Sequence, residues 1–196
     1  MDNNYQIIPH RLLSTGATIN QNYGSESKPV SLDDKAEIVF TDFSNTRPFS
    51  ITATATIDEI NNKMIACGVR LLFVAEADGV IQGLITYTDI FGEKSVQYIK
   101  EHGGSRQEIV AQDIMTPLVQ LEALRSEDIV RASVGDIVET IKTMGRQHML
   151  VITTHEDETQ VITGLFSSSH IGDLLGMKIE LSARANTFAD LERALT

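Results

Sequence analysis

Residues Gly68–Asp89, GVRLLFVAEADGVIQGLITYTD, decide how the rest of the chain is read. Gly68 closes a helical pattern at the place where a left-handed residue ends a helix. Two apolar runs, Leu71–Ala75 and Val80–Ile85, flank the turn formers Ala77, Asp78 and Gly79, and together they read as two strands joined by a tight turn. The stretch closes on Thr86-x-x-Asp89 at a strand end and a helix start. Backbone N–H groups there lack intrahelical partners, and small anionic or hydroxylated ligands bind at such places. Two readings stand side by side. Thr-x-x-Asp has the form of a capping box with Asp in place of Glu, a purely structural device; it is also a candidate ligand site.

Outward from this stretch, Ile57, Ile60, Met64 and Cys67 are spaced three, four and three apart, one face of an amphipathic helix. Before it, Ala36–Phe43 is a short apolar segment and Arg47–Ala55 alternates as a strand does, with Pro48 at its entrance. The helix opened at Thr86 is expected to run through Phe91, Val96 and Ile99 to Gly103 and Gly104. Arg106–Ile114 reads as a short helix that Pro117 ends, and a strand is expected near Asp128–Ala132. Then the pattern returns. Val134, Ile137, Ile141 and Met144 repeat the three-four-three spacing, Gly145 stops the helix, and strands follow at Met149–Thr153 and Val161–Phe166. The second of these leads into Ser167-Ser168-Ser169-His170. Gly68 and Gly145 are 77 positions apart (145 − 68), whereas Gly83 and Gly164 are 81 apart (164 − 83). The difference lies in the second hairpin, whose longer, acidic tip is His155-Glu156-Asp157-Glu158; hairpin tips tolerate such insertions.

A repeat unit of this size cannot bury both faces of its own sheet and helices, so two copies are expected to close one core together. A pseudo-twofold axis between them creates two equivalent clefts, each flanked by a strand-to-helix turn. The predicted division is an N-terminal arm (1–35), a first repeat (36–104), a linker and second repeat (105–178), and a C-terminal helix (179–196). The arm is rich in Asn, Ser, Gln and Gly, and the terminal helix places Phe188, Leu191 and Leu195 on one face behind a cap at Asn186 or Thr187.

The 196 residues carry a formal net charge of −11, which disfavours a nonspecific grip on nucleic acid or on an anionic membrane. One cysteine, Cys67, leaves no internal disulfide and no cysteine-based zinc cluster. The N-terminus lacks the pattern of a secretory signal, and no run of about eighteen apolar residues spans a membrane. A cytoplasmic location is therefore expected. With no P-loop, metal cluster or nucleophile-base constellation, an enzyme is not expected.

Taken together, Ile57–Gly68 leading into VRLLFV, the run GLITYTDI at Gly83–Ile90, the linker DIMTP at Asp113–Pro117 and the second copy from about Ile129 to Gly176 resemble a tandem pair of cystathionine-β-synthase (CBS) domains. The resemblance implies an α+β fold of two strand-helix-strand-strand-helix repeats. It also implies a regulatory module of the stand-alone bacterial type that binds an adenosine-containing ligand (AMP, ADP, ATP or S-adenosylmethionine) between the repeats. No cofactor is required, and the partners implied are the nucleotide, a second copy in a homodimer, and an unknown effector protein. In the family pattern Gly-h-h-Thr/Ser-x-x-Asp, the Asp accepts from the ribose hydroxyls and the Thr or Ser lies near ribose or phosphate. Those roles fall on Asp89 and Thr86, with backbone around Ile85 and the strand near Ser50–Thr54 against adenine. Arg70 is similar to the phosphate-facing arginine of a GVR sequence in the gamma subunits of AMP-activated kinase; its other reading is a solvent-facing residue at a strand start. The second copy departs from the pattern. Ser167 keeps the hydroxyl, but His170 replaces the Asp, and Gln147 followed by His148 stands where Arg70 does. A neutral imidazole cannot accept from two hydroxyls. His148 and His170 either meet phosphate, make the second cleft pH-sensitive, or, for His170, stay solvated. One functional site organised by the first repeat is expected. The alternative is a ligand-free structural or protein-interaction module.

Overall fold

The structure, a computed structural model, describes residues 29–181. Most of the expected arm and the expected helix at Asn186–Leu195 lie outside the described residues.

A 3-10 turn at Ala36–Val39 leads through β1 (Thr41–Asp42) and β2 (Ser50–Ile51) to α1 (Ile57–Cys67). Thr56 starts α1 with a reciprocal box: its backbone N–H donates to Glu59 Oε2 at 2.8 Å and Glu59 N–H donates to its hydroxyl at 3.3 Å. Gly68, at φ 65°, ends the helix in the left-handed conformation. The apolar spacing buries Ile57, Ile60 and Met64, while Cys67 is half-buried and free. β3 (Leu71–Ala75) and β4 (Ile81–Thr86) form the hairpin, followed by α2 (Tyr87–Phe91), α3 (Glu93–His102), α4 (Ala111–Ile114) and β5 (Thr116–Pro117). The second repeat reproduces this order with β6 (Ala123–Arg125), α5 (Ser126–Ile129), α6 (Val134–Met144), β7 (His148–Thr154), β8 (Gln160–Ser167) and α7 (Ser168–Leu175). α6 is again boxed, by Ser133 and Asp136, and closed by Gly145 at φ 59°. The expected α+β pair of strand-helix-strand-strand-helix repeats is the architecture found.

The two repeats exchange edge strands. One sheet runs β2-β3-β4-β5 and the other β1-β8-β7-β6, so the short strand preceding each repeat pairs with the other repeat. β5 lies antiparallel on β4 with Gly83 opposite Pro117, and β1 lies antiparallel on β8 with Asp42 opposite Gly164. These crossings explain why glycine recurs there. A Cβ at Gly83 would run into the Thr116 carbonyl oxygen, and one at Gly164 into the Thr41 carbonyl oxygen and the Phe40 ring. The exchange continues one step earlier: Ala111 N–H donates to Ala55 O at 2.8 Å, and Ala36 N–H to Ala132 O at 2.9 Å.

Each repeat has its own helix-on-sheet core, around Ile60, Leu72 and Ile85 in the first and around Ile141, Val151 and Phe166 in the second. A third cluster joins the two sheets face to face, with Leu71, Phe73 and Leu84 packed against Leu150 and Leu165. Burying this face on both sheets is what makes neither repeat self-sufficient.

Three local expectations give way to tertiary pairing, and a fourth to a break within the helix itself. The strand expected at Asp128–Ala132 lies earlier, at Ala123–Arg125, where it pairs parallel with Leu150–Ile152. Ser126–Ile129 is a helical turn there, its Asp128 taking the Arg125 guanidinium at 2.8 Å. Arg106–Ile114 is not one helix, because Ile109 and Val110 are drawn out to pair with Thr56 and Ile57. Within Arg47–Ala55 only Ser50–Ile51 pairs as a strand. The helix opened at Thr86 breaks at Gly92, a poor helix former, and Ser95 Oγ, buried behind the break, donates to the Asp89 and Ile90 carbonyls at 2.8 and 2.9 Å.

Candidate functional site

Where β4 turns into α2, the Asp89 carboxylate is drawn back over the turn. Thr86 N–H and the Thr86 hydroxyl both donate to Asp89 Oδ2, each at 2.7 Å. Asp89 thus plays the acidic part of the capping reading, and similar pairings recur at Ser133–Asp136 and Ser105–Glu108. Burial separates them. Asp136 is solvent-facing, and Ser133, through its backbone N–H and then its hydroxyl, holds that carboxyl below its ordinary range. Asp89 retains only 8% of its surface. A buried carboxylate needs a counter-charge, and Lys94 provides it, with Nζ 2.7 Å from Asp89 Oδ1. The same ammonium donates to Thr116 Oγ1 at 3.0 Å and to the Ile114 carbonyl at 3.2 Å.

Thr86, Asp89 and Lys94 form one wall of a cavity of about 720 Å³ between the repeats; the other wall is the Gly145–His148 stretch that opens β7. That volume falls within the roughly 300–1,000 Å³ of small-molecule sites. Arg146 lines it with a half-buried guanidinium that reaches Gln120 O at 3.3 Å and Glu122 at 3.4 Å. His148 lines it with a ring whose Nδ1 is buried and makes no hydrogen bond. Burial pulls the His148 imidazole down to about 4, against the negative charge of Asp89, which raises it. At neutral pH the cleft therefore holds a neutral imidazole, the cations Lys94 and Arg146, and the carboxylates Asp89, Glu93 and Glu122.

Of the residues singled out from sequence, this cavity brings together Thr86, Asp89 and His148. Arg70, Ile85, Ser167 and His170 do not line it. Arg70 is exposed at the head of β3, where its carbonyl accepts Tyr87 N–H at 2.9 Å. Ile85 is fully buried in the core of the first repeat. Ser167 and His170 occupy the equivalent turn of the second repeat: Ser167 Oγ lies 3.0 Å from Ser169 Oγ and accepts His170 N–H at 3.5 Å, and His170 is exposed. The division follows from the make-up of this cleft, which takes its strand-to-helix turn from the first repeat and its opposite wall from the second.

Lys94 and Arg146 were not singled out from sequence. An unbroken helix would place Lys94 about 140° around the axis from Asp89, at 100° per residue. The break at Gly92 brings it back. Arg146 had one available signal, its place directly after the helix-ending Gly145.

A family model for the CBS domain matches residues 40–95. Comparison with proteins of curated function finds no relative. Among solved structures, an uncharacterized conserved protein from Pyrococcus horikoshii is 18% identical over 78% of this chain and all of its own, with a TM-score of 0.52. A Methanocaldococcus jannaschii protein described as a putative archaeal homolog of g-AMPK is 18% identical over 72% of this chain and 49% of its own, at 0.50. A CBS-domain containing protein from Agrobacterium tumefaciens is 15% identical over 69% of this chain and 93% of its own, at 0.49. The first two similarities are similarities of fold, and among the described residues no helix is long and apolar enough to cross a membrane. Residues 40–95 thus match one CBS domain, and the second repeat returns the same strand-helix-strand-strand-helix order, so the chain is similar to a tandem pair of such domains.

Proposed function

We propose that this protein is a regulatory module that binds an adenosine-containing nucleotide in the cleft of Asp89 and Lys94 and signals by a change in the arrangement of its repeats. The observation that carries this reading is the buried Asp89 carboxylate, which keeps an open acceptor position at a cavity of ligand size. Acceptor-only groups suit a vicinal diol, and Lys94 and Arg146 supply cations for an anionic group on the same ligand. Walls drawn from both repeats give the means of signalling. A ligand that contacts both stabilises one relative arrangement, and only such differential affinity shifts an equilibrium. The role is regulatory rather than catalytic, and the acidic chain with its free Cys67 suits the cytoplasm. Two copies are expected to associate through their helices, where Ile65 and Val96 stand exposed, with an effector protein reading the result.

Isothermal titration with AMP, ADP, ATP and S-adenosylmethionine tests the reading. Saturable binding of one of them, lost in Asp89→Ala, supports it. Silence for all four supports instead a ligand-free interaction module, a reading favoured by the way Thr86 and Lys94 already occupy Asp89.

A further inference from the structure

We propose that Lys94 makes this cleft select nucleotides over nucleosides, by occupying Asp89 Oδ1 until an anionic group on the ligand takes over the ammonium. The inference rests on the nucleotide reading of the same cleft and adds to it the residue that reads the ligand's charge.

Asp89 is close to saturated. Of the roughly four acceptor positions of a carboxylate, Oδ2 gives two to the Thr86 N–H and hydroxyl, and Oδ1 gives one to Lys94. A vicinal diol brings two donors, so one of the present three must leave. The backbone N–H is fixed by the start of α2. The Thr86 hydroxyl has another partner within reach, Thr88 Oγ1 at 2.9 Å, and its departure would leave the charge of the cleft unchanged. Lys94 is the other donor able to leave. Its side chain keeps 45% of its surface, and after release it retains the Ile114 carbonyl and Thr116 Oγ1, so it stays at the cleft wall.

The two routes treat ligand charge differently. If Lys94 yields, an uncharged nucleoside takes Asp89 and leaves an ammonium without a counter-charge, whereas a nucleotide supplies one. The neighbouring charges do not take over this role. Glu122 is engaged by Arg146 on the opposite wall, and His148 is neutral. Glu93, beside Lys94 in sequence, is itself an anion that a phosphate must avoid. Because Lys94 also ties α3 to the segment leading into β5, re-pairing of its ammonium is felt between the repeats.

The test is calorimetric titration of AMP and of adenosine into the full-length wild type, Lys94→Met and Lys94→Arg. The wild type is expected to prefer AMP. Lys94→Met is expected to weaken AMP while leaving adenosine unchanged or tighter, so that the AMP-to-adenosine affinity ratio falls about tenfold or more, as for loss of a partly buried charge pair. Lys94→Arg is expected to retain the preference. If Lys94→Met does not fold, Lys94→Gln, which still donates to Ile114 and Thr116, carries the same comparison. Equal weakening of both ligands, an unchanged ratio, or a wild type indifferent to charge overturns the role of Lys94 and leaves the nucleotide reading standing. A wild type that binds neither ligand overturns both.

Discussion

At one register of the two hairpins the first repeat places Leu71 opposite Thr86, and the second places His148 opposite Ser167. The backbone treats the two positions alike: Tyr87 N–H donates to the Arg70 carbonyl and Ser168 N–H to the Gln147 carbonyl, both at 2.9 Å. The side chains do not follow. The first turn carries a buried carboxylate three residues on, at Asp89; the second carries an exposed imidazole, at His170. After the first turn the helix breaks within five residues and returns Lys94 to Asp89, whereas α7 runs unbroken for eight residues and the position matching Lys94 by the 81-residue offset is Leu175, which packs against the second core. Hydrogen bonding along the main chain thus preserves the frame of a cleft without preserving its chemistry. The frame is used across the axis, because Asp89 of the first repeat and His148 of the second line one cavity.

The sharpest way to break the symmetry is at the crossings. Gly164→Ala drives a Cβ into the Thr41 carbonyl and the Phe40 ring, and a loss of about 3 kcal/mol is expected. Gly83→Ala meets the Thr116 carbonyl and the flexible Met115 side chain, and should cost less, about 2 kcal/mol. Urea unfolding of the two variants ranks them; equal losses would mean that the Phe40 ring yields freely.

At the turns, Asp89→Ala removes the acceptor of two Thr86 donors and strands Lys94, for an expected loss of about 2 kcal/mol. The same change at Asp136, in its solvent-facing box, should cost visibly less in thermal melts.

Between the repeats, His148→Leu installs the residue that the first repeat carries at this register. Folding holds the wild-type imidazole at about 4, below its ordinary 6.5, so the unfolded chain binds the proton more readily. This group's contribution is fully present above about pH 6.5 and is lost as pH falls from there towards 4, about 2 kcal/mol by pH 5. Denaturant midpoints between pH 7.5 and pH 5 should show a shallower decline in His148→Leu. A parallel decline would assign the acid sensitivity to other groups.

The smallest effect is expected at the second turn. α7 has no acidic residue in its first turn, so His170→Asp should raise stability by about 0.5 kcal/mol by complementing the helix start. With Leu175 in place of a lysine, the new carboxylate has no ammonium to pair with, and AMP titration should show no added equivalent of binding.

Much of this molecule is legible in its sequence. The helices α1 and α6, their glycine stops, both hairpins and the recurrence of the whole unit follow from spacings of three and four, from alternation, and from glycine at chain reversals. The motif Thr86-x-x-Asp89 was legible as a cap. Each of these depends on contacts within a few residues, which local sequence controls. What reads poorly are short segments whose conformation is set by a distant partner, such as Ala123–Arg125 beside β7 or Ile109 and Val110 beside Thr56 and Ile57.

Sequence alone therefore determined that two like units would pack about an axis, and that a capping or ligand-binding carboxylate would stand at the first strand-to-helix turn but not at the second. Only the tertiary structure decided which residues share a cavity. Exchange of β1 and β5 sets Asp89 against Gly145–His148 rather than against Arg70, and the break at Gly92, held by Ser95, turns Lys94 onto Asp89. The first depends on surfaces that meet only when the two hairpins pack face to face, which no local preference encodes, and the second on a helix break whose bonds span five or six residues, beyond the reach of helix periodicity.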